Sequence, residues 1–156
     1  MDHTDEKWMN LAFEQAQKAF ELDEVPIGAV IINSQNELIS EAHNLKHTKE
    51  CATAHAEVLA IDKACKKLGR WRLTDCTLYV TLEPCLMCAG AILQARLSKV
   101  VYATKDPKAG ACKSLYHCLE DSRLNHKCEV TEGPLQQQCS ELLKKFFQSK
   151  RKKDNK

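Results

Sequence analysis

Glycine, proline, aromatic residues and long apolar runs are all scarce in this sequence of 156 residues. Five glycines and four prolines are too few for a collagen-like or low-complexity chain. No stretch of about 18 apolar residues occurs, so the sequence predicts no membrane-spanning helix. The first residues lack the basic-then-apolar order of a secretory signal peptide. We therefore expect one soluble domain, for which about 100–200 residues is the usual length.

Cysteine, by contrast, is abundant, with nine residues. An odd number of cysteines without a secretion signal does not describe a closed set of disulfides. We therefore expect a reducing, cytoplasmic location, where thiols pack as small apolar groups or bind metal. Only Cys85 and Cys88 have the close spacing of paired metal ligands.

Positive charge is concentrated at the end of the chain. Residues 144–156 hold seven basic residues and one acidic residue, although the whole chain has a formal net charge of only +2. This asymmetry predicts a folded domain over residues 1–147 and a basic C-terminal tail, residues 148–156, that contacts a polyanion. The alternative is a tail that only improves solubility.

The spacing of apolar residues predicts an α/β fold, in which Thr4 caps a first helix and a hairpin follows. A strand–helix–strand unit with a short crossover predicts a parallel strand pair. The whole pattern predicts a three-layer α-β-α sandwich, with a mixed central sheet of about five strands and helices on both faces. The other predicted elements are strands over 27–32, 37–43, 77–82, 99–103 and 128–131, and helices over 53–68, 84–97, 114–119 and from Pro134 onward.

Two short motifs carry candidate metal ligands. His55-Ala56-Glu57 lies at the start of one predicted helix, and Pro84-Cys85-Leu86-Met87-Cys88 opens the next. Cysteines at positions i and i+3 project from the same helix face. A helix N-terminus lowers the pKa of a thiol and so favours the thiolate that a metal needs. One imidazole and two thiolates are a ligand set that suits Zn²⁺.

Three protein ligands leave a fourth tetrahedral position for water, as in catalytic zinc sites. Zinc lowers the pKa of bound water toward neutrality and so supplies hydroxide. Glu57 points to another side of the helix from His55 and can carry protons. One alternative is a closed structural site with Cys51 as fourth ligand. Another is a redox cysteine pair, which the bulky residues Leu86 and Met87 disfavour.

These two motifs resemble the signature of the zinc-dependent nucleobase deaminases of the cytidine/deoxycytidylate deaminase superfamily. Cytosine, guanine, deoxycytidylate and tRNA deaminases share that signature. Further segments resemble the bacterial tRNA adenosine deaminases, and the resemblance covers nearly everything from Trp8 to Phe147. These segments are Asp23–Val30, Thr53–Glu57, Tyr79–Ala91, Lys105–Leu115, Asn125-His126 and Val130–Gly133.

The resemblance implies hydrolytic deamination of adenosine to inosine at the wobble position of a tRNA anticodon, by a homodimer with a cytidine deaminase-like fold. It implies that His55, Cys85 and Cys88 hold one Zn²⁺ per subunit and that Glu57 is the catalytic proton carrier. The target adenine must leave its loop to reach the metal. Single-stranded anticodon loops are therefore favoured over duplex RNA.

Four further residues are candidate substrate contacts. The resemblance places Asn44 against the target base, although sequence alone equally fits a turn residue. Asp106 and Lys108 are expected to line the RNA groove, although a loop rich in proline and glycine needs polar residues in any case. Phe146 and Phe147 cannot both face one core, so we expect an exposed ring, assigned to Phe146, that stacks on a base or packs in a dimer interface.

Two other functions remain open at this point. The first is a zinc-dependent deaminase of a free base or nucleotide, of the guanine or cytosine type, which would use the same metal chemistry. The second is a non-catalytic, zinc-stabilised RNA-binding subunit, which the presence of Glu57 disfavours.

Overall fold

The strands and helices of the computed structural model, which describes residues 3–154, follow the predicted order closely. The strands are β1 (Gly28–Ile32), β2 (Leu38–His43), β3 (Thr77–Leu82), β4 (Lys99–Thr104) and β5 (Glu129–Glu132). The helices are α1 (His3–Glu21), α2 (Ala56–Leu68), α3 (Leu86–Gln94) and α4 (Gln136–Asp154). None of the helices in this range is both long and apolar enough to cross a membrane.

The five strands form one mixed sheet in the order β2-β1-β3-β4-β5. Strand β1 runs antiparallel to β2 and to β3, whereas β3, β4 and β5 run parallel to one another. The predicted parallel pair joined by a helix, β3-α3-β4, is confirmed. The carboxyl ends of β3 and β4 therefore lie side by side at one edge of the sheet, where α3 begins.

Helices cover both faces of the sheet, as predicted. Alternate residues of β1 point to opposite faces, so that Ala29 and Ile31 pack in one apolar cluster and Val30 and Ile32 in the other. Helices α2 and α3 cover the first face, and α1 and α4 cover the second. The predicted three-layer α-β-α sandwich is thus confirmed.

The helix starts differ from the predictions. Helix α1 begins at His3, so Thr4 lies within it rather than before it. Helix α2 begins at Ala56 with His55 as its N-cap, two residues after the predicted cap, Thr53. The Thr53 hydroxyl lies 3.4 Å from the Cys51 thiol, and the backbone N–H of Ala54 donates to the carbonyl of Cys51. This turn uses the groups that a cap at Thr53 would need.

The helix predicted over residues 114–119 does not form. The backbone N–H of Ser114 donates to the carboxylate of Glu83, and that of Cys118 donates to the carbonyl of Ala111. Because these donors are already engaged, the segment is irregular, with no regular secondary structure at residues 116–118. The start of α3 also shifts, from Pro84 to Leu86, and the start of α4 shifts from Pro134 to Gln136.

Candidate active site and metal centre

The side chains of His55, Cys85 and Cys88 meet where α2 and α3 begin. The Nδ1 atom of His55 lies 3.7 Å from the sulfur of Cys85 and 3.4 Å from the sulfur of Cys88. All three ligand atoms lie within 4.8 Å of one another, and within the described part of the chain they form a group that could hold a metal ion. Helix packing thus joins two motifs that are 30 residues apart.

Local backbone conformation leaves these side chains available. His55 and Cys85 are the N-cap residues of α2 and α3, and each has an extended backbone with no side-chain capping bond. Cys88 lies three residues further along α3 and is buried, so its sulfur faces the same point as that of Cys85. The first turn of α3 contains no acidic residue, so its positive end acts on the thiols without neutralisation.

The donor set fits Zn²⁺. Zn–N and Zn–S bonds at a tetrahedral angle would separate nitrogen from sulfur by about 3.6 Å, close to the two distances observed. Hydrogen bonds from Cys88 and His55 lower the pKa of the Cys85 thiol to about 3, so this sulfur is a thiolate near neutral pH. The fourth-ligand alternative lacks support, because Cys51 lies outside the group and contacts Thr53 instead.

Glu57 lies beside the cluster but outside the group of ligand atoms. Its side chain is 4% exposed, and its Oε1 atom has no hydrogen-bond partner. Burial raises the pKa of this carboxyl to about 7. A buried carboxyl oxygen without a partner costs free energy, and such groups are typical of catalytic sites. The arrangement can therefore place a proton carrier next to a bound metal.

The family model of the MafB19-like deaminases matches residues 2–151. The tRNA-specific adenosine deaminase of Bacillus subtilis is 50% identical over 149 residues, which cover 96% of this chain and 92% of that relative. The chain is a MafB19-like deaminase and belongs with the tRNA-specific adenosine deaminases.

Solved structures place the chain in the same family. A structure from a study of A-to-I editing by tRNA:A34 deaminases at the wobble position of transfer RNA has a TM-score of 0.83 and 40% identity, covering 87% of this chain and 98% of that one. A guanine deaminase from Bacillus subtilis has a TM-score of 0.61 and 43% identity, with 67% of this chain and 66% of that one covered. The predicted deaminase family is confirmed.

In this deaminase, Asn44 lies in the loop that leads to His55. The residue is 4% exposed, its amide nitrogen donates to the carbonyl of Val25, and its amide oxygen accepts from the backbone N–H of Lys46. An asparagine amide has two N–H groups and two acceptor positions. One of each therefore remains after these bonds are made.

Glu24 holds the same loop and was not predicted from the sequence. Its fully buried carboxylate accepts the backbone N–H groups of His47 and Thr48. Burial alone would raise the pKa of Glu24, but the hydrogen bonds from Thr48 and His47 outweigh it and lower that pKa. An acidic residue next to a valine-proline pair gives no pattern from which such a role could be read.

Asp106 and Lys108 lie together in the segment after β4, which we call loop 105–114. The carboxylate of Asp106 accepts the backbone N–H groups of Lys108 and Ala109, which shapes a turn. The side chain of Lys108 is exposed. Asp106 and Lys108 thus lie together as predicted, but the carboxylate of Asp106 is engaged by backbone N–H groups of its own loop.

The structure contradicts the assignment of the exposed ring to Phe146. Phe146 is 5% exposed and packs edge-to-face on Phe20, whereas Phe147 is 46% exposed. At this exposure the Phe146 ring offers no open face on which a base could stack. Helix periodicity required one ring to be buried, but it did not say which.

The predicted basic tail is helical as far as the structure describes it. Helix α4 continues to Asp154, and residues 155–156 lie outside the described range. Lys150 forms an ion pair with Asp23 at the end of α1, while Arg151 and Lys152 are exposed. Part of the positive charge is therefore fixed against the domain.

Proposed function

We propose that this chain is a zinc-dependent deaminase that hydrolyses adenosine to inosine at the wobble position of a tRNA anticodon. The observation that carries the proposal is the buried carboxyl of Glu57, whose Oε1 atom has no hydrogen-bond partner, beside the His55, Cys85 and Cys88 cluster. The 50% identity to a tRNA-specific adenosine deaminase supports this substrate.

His55, Cys85 and Cys88 would hold one Zn²⁺ per subunit. When bound, the ion would lower the pKa of water and so supply a nucleophile at neutral pH. Glu57 accepts a proton from the attacking water and donates it to N1 of adenine as the water oxygen bonds to C6. It then takes the remaining proton from the new hydroxyl at C6 and delivers it to the amino group. The C6–N bond breaks, ammonia leaves and C6=O forms. Burial raises the pKa of this carboxyl, which favours the protonated form that it must adopt between the two transfers.

The loops around the centre are suited to an extruded base. Asn44 retains one N–H and one acceptor position that can meet the target adenine. Lys108 is exposed in loop 105–114 and can meet an RNA phosphate, while Asp106 shapes the turn that carries it. The exposed end of α4 adds Arg151 and Lys152 to the positive surface. A homodimer, which the resemblance implies, and a cytoplasmic location, which the cysteine content implies, complete the proposal.

A guanine deaminase is the alternative that a specific observation favours, since one such enzyme is 43% identical over 67% of this chain. Turnover assays with five substrates separate the two functions. The substrates are an anticodon stem-loop with adenosine at the wobble position, the same adenosine within a duplex, free adenosine, guanine and cytosine. We expect inosine from the stem-loop alone, zinc at one ion per chain, and loss of turnover after chelation that added Zn²⁺ restores. Turnover of guanine without turnover of the stem-loop would overturn the proposal.

A further inference from the structure

Glu83, which directly follows β3, is a second buried carboxylate that the chemistry above does not use. The residue is 2% exposed, and its two oxygens accept hydrogen bonds that all come from loop 105–114. The donors to Oε2 are the backbone N–H groups of Cys112 at 3.1 Å, Lys113 at 2.8 Å and Ser114 at 2.9 Å. Oε1 accepts the backbone N–H of Asp106 at 3.1 Å and the hydroxyl of Ser114. One side chain therefore fixes both ends of the loop.

The same contacts extend to an exposed cation. Asp106, whose N–H is held by Glu83, accepts in turn the backbone N–H groups of Lys108 at 3.1 Å and Ala109 at 3.2 Å. Two connected sets of hydrogen bonds thus run from the buried carboxylate to the backbone of Lys108.

Lys108 differs from the other lysines of the loop. Lys105 pairs with Glu132 at 3.2 Å, and Lys113 pairs with Glu120 at 2.6 Å. Lys108 has no ion-pair partner among residues 3–152. It is the lysine of this loop whose charge is available to an external anion.

The loop is packed closely against residues 83–84, the segment that joins β3 to α3. A Cβ atom at Gly110 would lie 2.4 Å from the carboxyl carbon of Glu83, so only glycine permits this approach. The backbone N–H of Ala111 donates to the carbonyl of Pro84 at 2.9 Å, next to Cys85. A displacement of the loop would therefore move Lys108 relative to the reaction centre.

We propose that Glu83 is a positioning residue for RNA, which holds loop 105–114 so that Lys108 meets a backbone phosphate beside the target adenosine. The identity of the RNA rests on the proposed function, whereas the hold on the loop does not. The hydrogen bonds that the Glu83 carboxylate accepts come from loop 105–114, so it acts through RNA affinity rather than through the chemical step.

Glu83→Gln is the decisive variant, because its single amide oxygen can keep the three bonds to residues 112–114 while its NH₂ group faces the N–H of Asp106. We expect the Asp106 end of the loop to loosen, which amide hydrogen exchange reports at Asp106 and Lys108. The KM for the anticodon stem-loop should rise about tenfold, with kcat changed much less. Zinc content should remain that of the wild type.

A double-mutant cycle with Lys108→Ala tests whether Glu83→Gln affects stem-loop binding through Lys108. If Glu83 acts through Lys108, Lys108→Ala should weaken stem-loop binding about tenfold in the wild type and hardly at all in Glu83→Gln. Val101→Ala, a core change between the sheet and helices α1 and α4, is the control for lost stability. It should lower the melting temperature and leave the KM unchanged.

Three results would overturn this role: a KM in Glu83→Gln no higher than in Val101→Ala, effects of Glu83→Gln and Lys108→Ala that simply multiply, or unchanged exchange at Asp106. Loss of zinc in Glu83→Gln would also count against it. Absence of inosine in the wild-type reaction would instead remove the proposed function. The exchange rates and the stem-loop affinities of the same variants would then still decide the role of Glu83.

Discussion

Replacement of Glu57 by glutamine should abolish most of the catalytic activity while the chain still folds. The variant keeps the shape of a side chain that is 4% exposed but cannot accept and return a proton. General acid–base groups contribute about 10²–10⁴-fold to a rate, so kcat for inosine formation should fall by that factor. Zinc content and stem-loop affinity should not change, because Glu57 lies outside the group of metal-ligand atoms.

The same variant should be more stable than the wild type once metal is removed. Burial raises the pKa of Glu57 from 4.5 to about 7. Below pH 4.5 the carboxyl is protonated in the folded and the unfolded chain alike, so it makes no difference to stability there. Between pH 4.5 and 7 the unfolded chain releases the proton and the folded chain retains it, so the folded state becomes less stable. The difference in pKa corresponds to about 3 kcal/mol at pH 7 and above.

Urea unfolding of the chelated proteins at pH 4.5, 6 and 8 measures the change in stability. Initial rates of the zinc-loaded proteins measure the change in kcat. The stability gained by Glu57→Gln should grow across this series. Glu37→Gln, an exposed position on the turn between β1 and β2, is the matched control and should change neither quantity. Retention of more than about a tenth of wild-type kcat in Glu57→Gln would refute the assignment of a general acid–base group. If Glu57→Gln loses its zinc to the same extent as its activity, Glu57 is a metal ligand.

Two further predictions concern other parts of the chain. Glu24→Gln should destabilise the protein by about 1–3 kcal/mol in urea unfolding at pH 7, because the buried side chain loses its charge and one backbone N–H, of His47 or Thr48, loses its acceptor. The pKa of Glu24 is lowered in the folded chain, so its contribution to the free energy of unfolding is present above the ordinary carboxyl pKa. That contribution should disappear as the pH falls below the ordinary value. A difference between wild type and variant that is the same at all pH values would contradict the reasoning. Deletion of residues 150–156 should weaken stem-loop binding and flatten its dependence on salt, because fewer cations are displaced from the RNA. If the dependence of stem-loop affinity on salt concentration is unchanged by the deletion, the tail does not contact RNA and only improves solubility.

Local patterns in the sequence were enough to predict most of the fold and the metal motif. The i, i+3 spacing of Cys85 and Cys88 places two sulfurs on one helix face whatever surrounds the helix. Alternating and continuous apolar runs likewise gave all five strands. Helix starts were less predictable, since His55 rather than Thr53 caps α2 and the competing bonds lie within a turn.

The roles of Glu24, Glu83 and Phe146 depended on the tertiary structure. The donors to Glu83 lie 23–31 residues away in a loop without periodicity, so no spacing in the sequence marks them. Similarly, whether Phe146 or Phe147 faces inward depends on where Phe20 of α1 lies. The sequence alone indicated the candidate metal ligands and the candidate proton carrier, because these predictions depend on residue type, on the spacing of Cys85 and Cys88 and on the family resemblance. Which loops surround that centre, and which buried carboxylates hold them, was decided by folding, because only a folded chain brings distant backbone donors to a single acceptor.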